Sequence, residues 1–253
     1  MSDIRQTNIM PQRKEQFENK GIYHIVLRGI DGNIIFKDTN DYYRGIFSIY
    51  EFNNKFPIEI IKRRRDRAVE KKREKNKLAE VGHPPIIIDK REKFVDVFTF
   101  CLMPNHIHLL LKQKKDNGIT EFMRKFGGYG RYLNKKYKRR GYVFQDAFKS
   151  IRIKDDNQLM IVFNYIHANP ISLYNPGWKE KGIKNINKSI RFLENYKWSS
   201  YQDYIGMKNF PSVTERNFLL EFISGESGCK DAMKNWLEYK NNLAKNNNLF
   251  LEE

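Results

Sequence analysis

The chain has 253 residues, 40% hydrophobic and 14% aromatic, which is long and apolar enough for a sizeable core and excludes a disordered chain. Its 47 Lys and Arg against 30 Asp and Glu leave a formal charge of +17, an excess that suits a polyanionic partner, with a lysine-rich protein lacking such a partner as the plainer alternative. Two widely separated cysteines, Cys101 and Cys229, exclude a disulfide scaffold. The same cysteine usage makes a reducing cytoplasm the expected setting, and with no apolar run near the roughly 20 residues of a membrane span no membrane contact is expected.

Residues 1–20 read as a polar tail without the apolar centre of a signal peptide. Gly21–Arg28, GIYHIVLR, alternates like a strand, and Gly29, Asp31, Gly32 and Asn33 mark a turn. Asp38–Phe52 opens with capping residues and carries Tyr43, Ile46, Phe47 and Tyr50 at helical spacing. The stretch 62–83 is a charged insertion, read as a solvated helix or a disordered segment. Phe94–Met103 and Ile107–Lys112 are β-rich runs around Pro104 and Asn105, a hairpin or one bulged strand. Ile119–Tyr137 predicts a helix weakened by Gly127, Gly128 and Gly130, and Tyr142–Ile153 is mixed. A further helix should run from about Gln158 to Ala168 and stop at Asn169 and Pro170. A Gly- and Lys-rich loop, Asn175–Lys188, and the aromatic stretch Tyr196–Tyr204 follow. Residues 21–206 then form the main domain and 207–253 a small helical C-terminal appendage. The order of elements is α+β: an antiparallel sheet of ferredoxin or RRM type, with helices on one face.

Two short patterns carry chemistry. His106 and His108 are i and i+2 on a strand and share a face, a sound start for a divalent metal site, although two histidines without metal explain the spacing as well. Tyr165 and Asn169 are i and i+4 on a helix and lie one turn apart on one face. From spacing alone, a core tyrosine and a helix-capping asparagine are the simpler account.

MPNHIHLLL, residues 103–111, closely resembles the His–bulky apolar–His signature of the HUH single-tyrosine transposases. YIHANP, residues 165–170, resembles their catalytic-helix motif. YHIVLRG (23–29), WSSY (198–201) and the basic, aromatic stretch Met123–Arg152 are similar in style, most of all to the branch of REP-associated tyrosine transposases. The resemblance implies a Mg²⁺ or Mn²⁺ ion held by His106 and His108, with Asn169 as third ligand. It implies Tyr165 as the nucleophile that forms a 5′-phosphotyrosine with single-stranded DNA, and a hairpin near the cut. Asn169 departs from the Gln or Glu frequent in the family and is a weaker ligand. Family members act as monomers or homodimers. His167 is two residues from Tyr165, off its face, and is not assigned as a base; His24 is a distant candidate.

Single strands bind cationic grooves with aromatic platforms. Arg131, Lys135, Lys136, Lys138, Arg139, Arg140, Lys149 and Arg152 are accordingly the expected DNA contacts. A non-catalytic DNA- or RNA-binding relative on the same fold, and a metal phosphodiesterase that uses water, are the competing readings.

Overall fold

Period-two alternation puts Tyr23, Ile25 and Leu27 of β1 (Ile22–Arg28) in one core layer and turns His24, Val26 and Arg28 to the other face. In the computed structural model, residues 16–57, 65, 69, 89, 91–145 and 148–249 are described. The insertion 62–83 lies outside them except at 65 and 69. α1 (Thr39–Phe52) starts at a capping box in which Asp38 and Asp41 each bind the other's backbone N–H.

β2 (Val95–Met103) and β3 (His106–Gln113) form a hairpin turned by Pro104 and Asn105. The single helix expected over 119–137 is two, α2 (Gly118–Phe126) and α3 (Gly128–Lys136), parted at Gly127. β4 is Lys149–Arg152, and α4 is Asp156–Ala168, capped by Asp155 and running into a 3₁₀ turn at Asn169–Leu173. Five helices follow: α5 (Trp178–Lys181), α6 (Ile186–Asn195), α7 (Tyr201–Tyr204), α8 (Asn217–Phe222) and α9 (Gly225–Leu249).

The four strands are antiparallel in the order β2-β3-β1-β4, and with α1 and α2–α3 as crossovers this is the split-βαβ arrangement of ferredoxin-like folds. The α+β expectation therefore holds, but the helices cover both faces. Ile25, Leu27, Ile107 and Leu109 pack with Ile46 and Ile49 of α1, Phe122 and Phe126 of α2, and Leu133 of α3. On the reverse face Phe98, Cys101 and Leu110 pack with Leu159, Phe163 and Ile166 of α4. A β-bulge between Val97 and Thr99 lets β2 supply both layers in register. The segment expected as an appendage is helical, and its Leu219, Met233 and Leu237 join this second layer rather than standing apart.

The WSSY stretch runs beside β2. Ser200 N–H donates to the Phe100 carbonyl at 3.0 Å, and Ser200 Oγ meets His167 Nε2 at 2.8 Å. His167 is thus a core residue, wedged among Phe163, Tyr201 and Tyr204.

Complete burial pushes the His167 imidazole down to about 3. The unfolded chain takes up this proton near pH 6.5 and the folded one does not, so stability is full above that pH and falls as pH drops toward 3. For one such imidazole the loss at pH 5 is about 2 kcal/mol. The melting temperature should therefore fall steeply below pH 6.5. A His167→Gln variant should show a visibly shallower slope between pH 6.5 and 4.5 in thermal melts. An unchanged slope would dismiss His167 as the group responsible.

Candidate active site

The second face of the sheet is only partly roofed. α4 lies over β2 and β3, while on β1 and β4 the pairs Val26–Lys149 and His24–Ile151 remain at the open side. Lys149 and Ile151 are exposed there, Ile151 by 53%. His106 and His108 project from β3 onto this face, since Ile107 and Leu109 occupy the opposite layer. Their rings meet edge to face with centroids 4.8 Å apart.

Each imidazole is oriented by a neighbour. His106 Nδ1 lies 2.7 Å from Asn105 Oδ1, so it donates there and leaves Nε2 with a lone pair. His108 Nδ1 lies 2.9 Å from His24 Nε2. His108 Nε2 is buried without a hydrogen-bond partner. A buried ring nitrogen left unsatisfied costs free energy unless something not yet bound completes it. A divalent metal fits: Nε2 of His108 is its ligand atom when Nδ1–H donates to His24. Burial holds His24 down to about 4. Burial, then the charges of Arg28 and Lys179, hold His106 at about 4. His108 is driven well below its ordinary value, by burial first and by its charged neighbours second. All three are neutral at pH 7, the form in which imidazole ligates a metal. Among the described residues no group of three or more His, Cys, Asp or Glu is assembled as a metal cage, so further ligands would be neutral or substrate oxygens.

Tyr165 comes from α4 onto this pair. Its ring centroid is 5.6 Å from that of His108 and 5.9 Å from that of His24, both edge-on. Asn169, buried at the end of α4, donates from Nδ2 to the Tyr165 carbonyl at 2.7 Å. That bond fixes the amide and directs Oδ1 to Lys179, whose Nζ is 3.3 Å away and also donates to the Tyr165 hydroxyl at 3.2 Å. The structure thus brings His106, His108, Tyr165 and Asn169 to one place, and adds His24 and Lys179. Nothing in the sequence separates Lys179 from Lys181, Lys184 and Lys188 in the same stretch. His24 stands on the expected first strand as a distant candidate, but its partner is fixed by the β1–β3 register.

The expected DNA contacts fall into groups. Lys149 pairs with Val26 and shares the face of Tyr165, whereas Arg152 pairs with Tyr23, turns to the other face and binds Glu18. Lys136 is held by Asp41, fully buried, and by Asp38, each at 2.7 Å. It ties α3 to the start of α1, and its ammonium is not free for a phosphate. Arg131, Lys135, Lys138 and Arg140 are exposed and Arg139 half-buried, on α3 and the loop after it.

Residues 53–169 match the family described as "Transposase IS200 like". Over this segment, 117 of its 253 residues, the chain is similar to the IS200-like transposases. The match takes in His106, His108, Tyr165 and Asn169; β1 with His24, and α5 with Lys179, lie outside it. Among solved structures, one described as a REP-associated tyrosine transposase bound to a REP hairpin is 11% identical. It aligns over 82% of this chain and 96% of its own, with a TM-score of 0.45. No curated protein matches the sequence. Among the described residues no helix is long and apolar enough to cross a membrane.

Proposed function

We propose that the chain is an IS200-like transposase, a metal-dependent endonuclease and strand transferase for single-stranded DNA, with Tyr165 as nucleophile and His106, His108 and Asn169 as ligands of Mg²⁺ or Mn²⁺. The observation that carries the reading is the unpartnered Nε2 of His108, buried beside a tyrosine whose ring stands against two imidazoles. A bound divalent ion supplies Lewis-acid polarisation of the scissile phosphate.

The chain's own groups do the rest. The Tyr165 oxygen bonds to phosphorus and the bond from phosphorus to the 3′ oxygen breaks. The phenol loses its proton and the departing oxygen gains one, leaving a 5′-phosphotyrosine and a free 3′-OH. Attack by a different 3′-OH reverses the step, joins strands and restores the phenol. The covalent link conserves the phosphodiester, so no nucleotide hydrolysis is needed.

The open β1–β4 surface offers the strand a path to Tyr165. Arg28 and Lys149 supply cations there, and Ile151 an apolar contact for a base or sugar. Arg131, Lys135, Lys138, Arg139 and Arg140 lie with α3 and its loop, which pack on the opposite layer, and suit the phosphates of a flanking hairpin.

The test uses labelled single strands copied from the hairpin-bearing flanks of the chain's own gene, incubated with protein and Mg²⁺ or Mn²⁺ and run on denaturing gels. The expected result is a covalent protein–DNA band that EDTA prevents. Cleavage without a band would make the protein a water-using phosphodiesterase. Binding with neither would make it a non-catalytic nucleic-acid-binding protein.

A further inference from the structure

We propose that Lys179 is a catalytic residue of this site: its ammonium holds the Tyr165 oxygen for attack and stabilises that oxygen's negative charge when Tyr165 departs in the joining step. The inference rests on the reading of Tyr165 as nucleophile.

Three observations carry it. Lys179 Nζ donates to the Tyr165 hydroxyl at 3.2 Å and sits 4.4 Å from the centre of its ring. Because the ammonium has only donors, the phenol oxygen must be the acceptor, and its own proton is left free to leave. The same ammonium reaches Asn169 Oδ1 at 3.3 Å, so it bridges the nucleophile and the residue one helical turn on. Among the described residues no carboxylate pairs with Lys179, so its charge is not spent on an internal partner.

The placement of this lysine is built by the C-terminal helix. α5 has only four residues and makes no stable helix alone. It is anchored by Trp178, fully buried against Trp236 of α9 with ring centroids 5.7 Å apart. Asn241 of α9 accepts the Ile183 N–H at 2.8 Å just beyond it. Gly182, at φ +81°, closes α5 where any Cβ would come within 2.7 Å of Asn241 Oδ1. An exposed lysine on a free loop would sample many positions; this one is fixed at its root. Trp236 and Asn241 are therefore positioning residues, and α9 serves the active site as well as the core.

A pre-placed cation matters most where charge develops. In cleavage the phenol oxygen becomes the attacking atom, and in joining it is the leaving group, so one ammonium assists both directions.

The experiment compares wild type, Tyr165→Phe, Lys179→Met, Lys179→Arg and Trp236→Ala as full chains. Single-turnover adduct formation and joining are followed on the same hairpin-bearing strands, with DNA affinity and melting temperature measured in parallel. Lys179→Met should slow both adduct formation and joining about 100-fold at saturating DNA, the usual cost of one donor at a developing oxyanion. Its affinity for DNA and metal should stay within about threefold of wild type, as expected for an interaction made mainly in the transition state. Lys179→Arg should recover most of the rate, and Trp236→Ala should show a partial loss of rate. Unchanged rates in Lys179→Met would overturn the proposal, as would a loss confined to DNA affinity. An equal loss in Lys179→Arg and Lys179→Met together with a lowered melting temperature would make Lys179 a structural prop. Failure of the underlying reading looks different: Tyr165→Phe would then still cleave, whatever Lys179 does.

Discussion

Replacing Tyr165 with Phe should abolish the covalent adduct and lower cleavage at least about 1,000-fold, as loss of a nucleophile does when no second group can take its place. The fold should survive intact. The ring keeps its edge-on contacts with His24 and His108, and only the hydroxyl's bond from Lys179 is lost. Tyr165 is half-exposed, so the melting temperature should move by no more than about 2 °C. This separation of activity from stability makes the variant informative. A dead but equally stable protein assigns the chemistry to one oxygen. Retained cleavage without an adduct assigns it to water and leaves Tyr165 a wall of the site. His24 and His167 are no substitutes for the lost nucleophile: His24 is tied to His108 and His167 is sealed in the core.

The second large effect is expected at His108. His108→Ala removes the ring nitrogen that has no partner in the protein, so on the proposed reading the affinity for Mn²⁺ should fall at least about 100-fold and cleavage with it. His24→Ala should act in the same direction more weakly, by about 10- to 100-fold in metal affinity, because it removes only the group that orients His108. Both are read by Mn²⁺ titration followed by calorimetry, with cleavage assayed across metal concentrations. Raised metal should rescue His24→Ala and not His108→Ala. Equal metal affinity in all three proteins would mean that the two-histidine unit is structural, its unpartnered nitrogen notwithstanding.

Local features of the site were legible in the chain. H-x-H inside an apolar run requires both imidazoles on one face of a strand, and Tyr165 and Asn169 at i and i+4 share one face of a helix. The capping residues before α1 and α4, and the Pro–Asn turn between β2 and β3, follow from local backbone chemistry and appear where those residues stand. The break at Gly127 is not legible in the chain, which reads as one helix over 119–137, because glycine weakens a helix without dictating an end.

What local pattern cannot supply is which surfaces meet. His24 becomes the partner of His108 only through the β1–β3 register, which pairs Val26 with His108 across 82 positions of chain. Lys179 reaches Tyr165 only because Trp178 packs on Trp236 in a helix that reads, by itself, as an appendage. The second helical layer is not written in any local pattern for the same reason. The apolar residues of α8 and α9 advertise a buried face, and nothing along the chain says that it lies on the same side of the sheet as α4. Charge count likewise gave a basic surface but not its allocation: Lys136 spends its charge on Asp38 and Asp41, while Lys149 faces the site. Residue type and period fix the chemistry available and the face on which each group stands, because they act over one turn or one pleat. Which groups become neighbours is decided by long-range packing, where burial of apolar area selects the arrangement and the polar groups are carried with it.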